Sequence, residues 1–349
     1  MNRNQASEAI SSDAEPAGDL LVVEGLTIEL ENSPGASPIV QDMSFRVAAG
    51  EVVGLVGESG SGKSLIGLAL LNLLPDGVII TSGKILANGL DVLTADEETL
   101  RKMRGATLAT VFQDPGAALN NTRTVRQHLA GVLQAHGRFS RQEVRERSLQ
   151  ALNSVGFPNP AARCRSYPFQ LSGGLRQRVA IAMALINNPK VLIADEPTTS
   201  LDVSVQKGIL ELVRRRTIEN HLGCLFVSHD LGVISEVADR VIVMYAGQKV
   251  EEGPALSVLT RPQHPYTVGL IASAPTMSSN LANPLRPIPG TIPPVGEAPS
   301  GCAFQTRCPQ LTKELCSPLD PGWTIDPDDS SHRWFCYRQP KLKSRRKES

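Results

Sequence analysis

Two carboxylates stand side by side, Asp195 and Glu196, at the tip of the apolar run Val191-Leu192-Ile193-Ala194. Strand ends of this kind seldom carry paired acids without a metal or a catalytic reason, because taking charge out of water is costly. Asp195 is suited to hold Mg²⁺, commonly through water, and Glu196 to polarise a water for attack on a phosphoryl group. The matching anion site lies upstream, where Gly57-Glu58-Ser59-Gly60-Ser61-Gly62-Lys63-Ser64 fits G-x-x-x-x-G-K-[ST] at every fixed position. Its glycines let backbone N–H groups curl around phosphate oxygens at a helix N-terminus. Lys63 would then sit on the β- and γ-phosphates and the Ser64 hydroxyl on Mg²⁺. A further anion-binding helix end is offered by Leu171-Ser172-Gly173-Gly174-Leu175-Arg176-Gln177, with Ser172 as N-cap. Taken alone, that stretch reads equally well as an ordinary capped helix.

These residues need strands and helices to hold them. The apolar run 52–56 predicts a strand into the phosphate loop, and 65–74 a helix out of it. Residues 20–31 and 39–47 read as two strands joined by a turn-rich segment, 82–89 as a short strand, and 108–112 as another that ends at Gln113-Asp114-Pro115. Helices are expected at 125–136 and 141–155, and buried strands at 191–194, 224–228 and 241–245. Strands alternating with helices imply an α/β fold on a mainly parallel sheet. The bulk numbers agree with a folded chain: 349 residues, 41% hydrophobic, with Lys+Arg and Asp+Glu equal at 35 each. A balanced charge gives no global field for nucleic acid, and 4% aromatic content disfavours a base-stacking platform. No apolar run approaches the roughly 18–20 residues of a membrane span, and residues 1–18 lack the apolar core of a signal peptide and read as a disordered tail. The expectation is a soluble, intracellular chain that can still sit against a membrane partner.

In their order, these motifs resemble the nucleotide-binding subunit of ATP-binding-cassette (ABC) transporters, over residues 20–253. The resemblance implies a P-loop NTPase cassette: a RecA-like α/β core, N-terminal antiparallel strands and an inserted helical subdomain at 114–179. It makes Gly57 to Ser64 the Walker A loop and Gln113 the Q-loop glutamine that senses the Mg²⁺ site and faces the membrane partner. Ser172, Gly173, Gly174 and Gln177 belong to the signature loop, with Ser172 and Gly174 reaching ATP held by an opposite subunit. Asp195 and Glu196 become the Walker B pair, Ser200-Leu201-Asp202 the D-loop, and His229 the switch histidine at the γ-phosphate. Implied partners are a second cassette arranged head to tail, two transmembrane permease subunits and a periplasmic solute-binding protein, on the cytoplasmic face of the inner membrane; no nucleic acid is implied. One departure stands out: such cassettes usually stack adenine on an aromatic ahead of Walker A, yet residues 20–44 contain no Phe, Tyr or Trp, and Phe45 sits in a core-strand pattern.

After Gly253 the composition turns to proline, and a separate small C-terminal region is expected over 254–338, followed by a basic tail at 339–349. His264-Pro265-Tyr266-Thr267, Ile288-Pro289-Gly290 and Gly301-Cys302-Ala303-Phe304 resemble the C-terminal extension of the oligopeptide/dipeptide branch, which implies an ATPase that energises import of peptides or peptide-like solutes. Glutathione, nickel complexes, opines and oligosaccharides stay open as solutes. A soluble cassette acting on nucleic acid or ribosomes is disfavoured by the single cassette and zero net charge, and a P-loop kinase by the adjacent Asp195-Glu196. Cys302, Cys308, Cys316 and Cys336 cluster in this extension. Four thiols can ligate zinc or an iron–sulfur cluster; the branch resemblance implies [4Fe–4S], and unligated buried cysteines are the plain alternative.

Overall fold

The computed structural model describes residues 18–32, 35–199, 201–274, 287–316 and 321–337. The expected N-terminal tail, apart from its last residue, and the basic C-terminal tail lie outside them, as does Ser200.

Among the described residues two sheets form. The first is antiparallel, in the order β2-β1-β4-β5, from β1 (Asp19–Leu30), β2 (Val40–Ala48), β4 (Val78–Ala87) and β5 (Leu90–Asp91). One face of β1 is buried through Leu21 and Val23, then through Leu26 and Ile28. The phase changes at Gly25, where pairing with β2 slips register; one extra residue turns the following side chains back to the same face. The expected strand at 82–89 starts four residues earlier, because the segment from Val78 to Ile80 pairs with the end of β1.

The second sheet has the order β11-β12-β10-β9-β3-β8-β7-β6, with β10 (Gln248–Pro254), β12 (Asp329–Phe335) and β11 (Trp323–Asp326) as its antiparallel edge. Its parallel centre comprises β3 (Val52–Val56), β6 (Leu108–Val111), β7 (Val191–Asp195), β8 (Gly223–Ser228) and β9 (Arg240–Tyr245). These are the near-continuous apolar runs of the sequence, as expected of strands covered on both faces. Successive residues serve opposite cores: Val53 and Leu55 pack toward the antiparallel sheet and α1 (Lys63–Leu70), while Val52 and Val56 pack toward the helical side. Helix α1 is shorter than expected, turning at Asn72 in left-handed backbone (φ 51°).

The helical insertion follows β6, beyond α2 (Glu97–Met103), and holds α3 (Pro115–Ala118), α4 (Val125–His136), α5 (Arg141–Ser154) and α6 (Pro160–Arg163). Helices α4 and α5 each begin with a capping box, Thr124 with Gln127 and Ser140 with Glu143, so their starts are fixed locally. Helix α7 (Gly173–Leu185) joins this lobe to the core, burying Val179, Ile181 and Ala182. Helices α8 (Val203–Glu219) and α9 (Leu231–Val237) complete the cassette.

Among the described residues the C-terminal segment joins the sheet and the core of the cassette. β10 (Gln248–Pro254) pairs with β12 (Asp329–Phe335), which pairs with β11 (Trp323–Asp326), so the extension continues the cassette's sheet. Between them lie α10 (Ala255–Thr260), α11 (Pro265–Ser273), a 3₁₀ turn (Ala303–Arg307) and α12 (Lys313–Cys316). Cys302, Ala303 and Phe304 are part of the same apolar cluster as Phe226 and Tyr245. A proline-rich segment with few periodic apolar positions gains a core by borrowing the cassette's.

Candidate nucleotide site

The phosphate loop runs from the end of β3 into α1, the strand–loop–helix setting its pattern requires. Gly57 cannot be replaced without movement: a Cβ there would fall 2.2 Å from the Met244 carbonyl oxygen. Lys63 is buried and donates to the carbonyls of Gly57 (2.8 Å) and Glu58 (2.9 Å) and to Ser61 Oγ (3.2 Å). Burial holds its pKa below the usual lysine value, opposed by the nearby carboxylates of Glu196, Asp195 and Glu58. A buried ammonium satisfied only by neutral oxygens of its own loop is well matched to phosphate oxygens in their place.

The tip of β7 faces this loop. Ser64 Oγ donates to Asp195 Oδ1 at 3.3 Å. Burial raises the Asp195 pKa; the Ser64 hydrogen bond works against that, Glu196 adds to it and Lys63 opposes it. A hydroxyl and a carboxylate oxygen meeting beside a phosphate loop form an oxygen-donor pair that fits Mg²⁺.

Glu196 adopts left-handed backbone (φ 45°), uncommon for a residue other than glycine, and its N–H donates to the Val227 carbonyl (3.0 Å). Three side chains from three other points of the chain converge on its carboxylate. Gln113 Nε2 donates to Oε2 at 3.1 Å, Thr199 Oγ1 donates to the same oxygen at 2.9 Å, and His229 Nδ1 lies 3.0 Å from Oε1. Gln113 and His229 are expected from the sequence; Thr199 is a site residue that the sequence reading does not single out. Its one local signal is a hydroxyl three residues after the carboxylate, in the turn that follows β7.

The other residues of the sequence-based site are placed as follows. Ser172 is exposed at the N-cap of α7, and its hydroxyl makes no capping bond. Gly174 lets α7 meet α8 closely, since a Cβ there would stand 2.4 Å from Val205 Cγ1. Gln177 is buried in α7 with no hydrogen-bond partner for Nε2. Asp202 caps α8, accepting from Val205 N–H at 3.0 Å. Among the described residues no hydrogen bond or ion pair joins Ser172 to Gln177 with the phosphate loop of the same chain. Phe45 is a core side chain, 5% exposed.

Cys302, Cys308, Cys316 and Cys336 line one cavity of about 20 Å³ together with His264 and Phe304. Burial, and then the other three thiols, push the Cys302 thiol up to about 12. The expected metal centre is not formed by this arrangement: among the described residues no three His, Cys, Asp or Glu side chains converge closely enough to hold a metal ion. The cavity has room for about one water.

Comparisons with known proteins agree with this geometry. Residues 40–199 match the family model "ABC transporter", and residues 250–316 match "Oligopeptide/dipeptide transporter, C-terminal region". The chain is similar to the dipeptide transport ATP-binding protein DppD of Bacillus subtilis, 42% identical over 321 residues, covering 92% of this chain and 95% of that protein. It is also similar to a putative peptide import ATP-binding protein of Brucella abortus, 44% identical over 308 residues, 85% of this chain and 91% of that one. A solved dimeric ATP-binding cassette in a post-hydrolysis state with ADP and Pi superposes with a TM-score of 0.60 at 27% identity, over 67% of this chain and 98% of the other. CbiO1 of Clostridium perfringens, part of an ABC transporter complex, gives the same TM-score and identity over 70% and 91%. With its motifs in order and its relatives aligned nearly end to end, the chain belongs to the ABC transporter family and carries the C-terminal region of the oligopeptide/dipeptide transporters.

Proposed function

We propose that this chain is the ATP-hydrolysing subunit that energises import of peptides or peptide-like solutes. The observation that carries the hydrolytic reading is the convergence of Gln113, Thr199 and His229 on Glu196, beside the Ser64–Asp195 pair. Lys63 and the loop N–H groups bind the triphosphate, and Ser64 and Asp195 would hold Mg²⁺, which when bound offsets phosphate charge. Glu196 accepts the proton of the attacking water, and its three partners fix the carboxylate's direction. The peptide reading rests on the DppD relative and on the matched C-terminal region. Among the described residues no helix is long and apolar enough to cross a membrane, so import requires permease subunits from other chains. The exposed, uncapped Ser172 is the natural contact for ATP held by a second cassette, and we assign the pair to the cytoplasmic face of the inner membrane, fed by a periplasmic solute-binding protein. Purification with co-isolated permease subunits and peptide-stimulated ATP hydrolysis in liposomes tests this assignment. A chain that co-purifies with ribosomes or nucleic acid, and with no membrane subunit, would overturn it.

The [4Fe–4S] cluster, or zinc in its place, is a separate proposal. It is supported by four thiols around one cavity and by the buried His264 Nε2, which has no partner. Ligation would require the thiols to draw closer together than they stand. Iron and acid-labile sulfide in anaerobically purified protein, lost on Cys308→Ser, would support the cluster; stoichiometric zinc would support the alternative, and metal-free protein neither.

A further inference from the structure

The extension reaches into the phosphate loop through one pair of charges. Arg307, the last residue of the 3₁₀ turn, forks onto the carboxylate of Glu58, the second residue of the loop: Nη1 meets Oε2, and Nη2 lies 3.1 Å from Oε1. The Arg307 side chain is only 5% exposed. Its Nε donates to the Pro289 carbonyl (2.9 Å), Nη2 also reaches the Ile288 carbonyl (3.2 Å), and the guanidinium lies 5.7 Å from the Tyr245 ring centroid. The Glu58 backbone is held from the same side, its N–H donating to Tyr266 Oη at 2.8 Å. Tyr266 packs in turn on Phe304, with ring centroids 5.3 Å apart. Both the main chain and the side chain of Glu58 are therefore fixed by residues C-terminal to the cassette.

A carboxylate at this point poses an electrostatic problem. Glu58 is near enough to Lys63 to favour its charged form, so an uncompensated Glu58 would compete with phosphate for that ammonium. It would also repel the triphosphate directly. Paired with a guanidinium in bidentate geometry, the same carboxylate is cancelled and its direction fixed.

We propose that Arg307 is a positioning residue of the nucleotide site, cancelling the charge of Glu58 so that the extension serves as a support of the phosphate loop. This rests on ATP binding at that loop, as proposed above. Equilibrium binding of a fluorescent ATP analogue to the full-length chain tests it, with Lys63→Ala as the control for the site itself. Binding that is absent, or indifferent to Lys63→Ala, would sink the site reading as such. With that control satisfied, Arg307→Met should weaken binding by about tenfold, the scale of one lost charge-assisted bond. The deficit should shrink as salt is raised, because its cause is repulsion between charges. Adding Glu58→Gln should bring the Arg307→Met protein back to within about threefold of wild type. Unchanged affinity in Arg307→Met overturns the proposal, and so does a loss that neither salt nor Glu58→Gln relieves, which would mark a purely structural contact. Should Arg307→Met not fold, Glu58→Gln alone decides: it should bind at least as tightly as wild type, and a loss of about tenfold overturns the idea.

Discussion

Gln113, just past the end of β6, donates its side-chain amide to Glu196, just past the end of β7, at 3.1 Å. The adjacent parallel strands bring the two residues level, and the helical insertion starts immediately after Gln113, where Asp114 caps α3 by accepting from Gly116 N–H. A shift of the insertion would thus act directly on the partner of the carboxylate proposed above as the base.

Glu196→Gln should preserve ATP binding and lower turnover by about 10²–10⁴-fold, since the amide keeps the shape and loses the base. Steady-state hydrolysis by the assembled transporter, compared with nucleotide affinity, checks this; turnover near wild type would remove Glu196 from that role.

Gln113→Ala should cost more in transport than in ATP affinity, because among the described residues the amide hydrogen-bonds Glu196 and not the phosphate loop. Solute uptake and nucleotide binding measured on one preparation separate the two. Equal losses would make the residue purely local.

Thr199→Val removes one of two donors on Glu196 Oε2 while keeping the side-chain volume. Turnover should fall by about tenfold with little change in ATP affinity, in line with one lost bond to a charged group. Affinity falling in parallel with turnover would point to a disturbed turn instead.

With no aromatic between residues 20 and 44, and Phe45 in the core, the base has no stacking partner ahead of the phosphate loop. Stacking contributes about 1–3 kcal/mol per base in nucleic-acid sites. ATP and GTP affinities should therefore lie within about tenfold of each other. Competition of GTP against a labelled ATP analogue measures the ratio, and a larger preference would require a base contact from elsewhere.

Glu251 is fully buried and accepts from Gln263 N–H (2.8 Å) and His264 N–H (2.9 Å), with His332 Nε2 at 2.8 Å. It ties β10, the start of α11 and β12 together. Glu251→Leu should destabilise the fold by about 3–5 kcal/mol, the cost of breaking a satisfied buried charge site. Chemical denaturation measures the loss, and limited proteolysis should show the C-terminal hairpin cut first.

The sequence by itself determined the parts whose chemistry is contiguous. The phosphate loop, the Asp195-Glu196 tip, the Ser172 helix start, the helices at 125–136 and 141–155 and the apolar strands of the core are all patterns within a dozen or so residues. Local backbone preference and hydrophobic period suffice to read them. Tertiary structure decided which of these pieces meet. Gln113 and His229 converge on Glu196 only because β6, β7 and β8 are neighbours in the sheet, an order that no local pattern encodes, whereas Thr199 reaches it from three residues on in the same turn. The proline-rich segment reads as a separate region because it lacks an apolar period, yet it docks on the cassette's core and adds strands to its sheet. The same docking places Arg307 on Glu58 across 249 residues of chain. Such a contact depends on where two folded surfaces come to rest, and neither residue's surroundings in the sequence carry a trace of it.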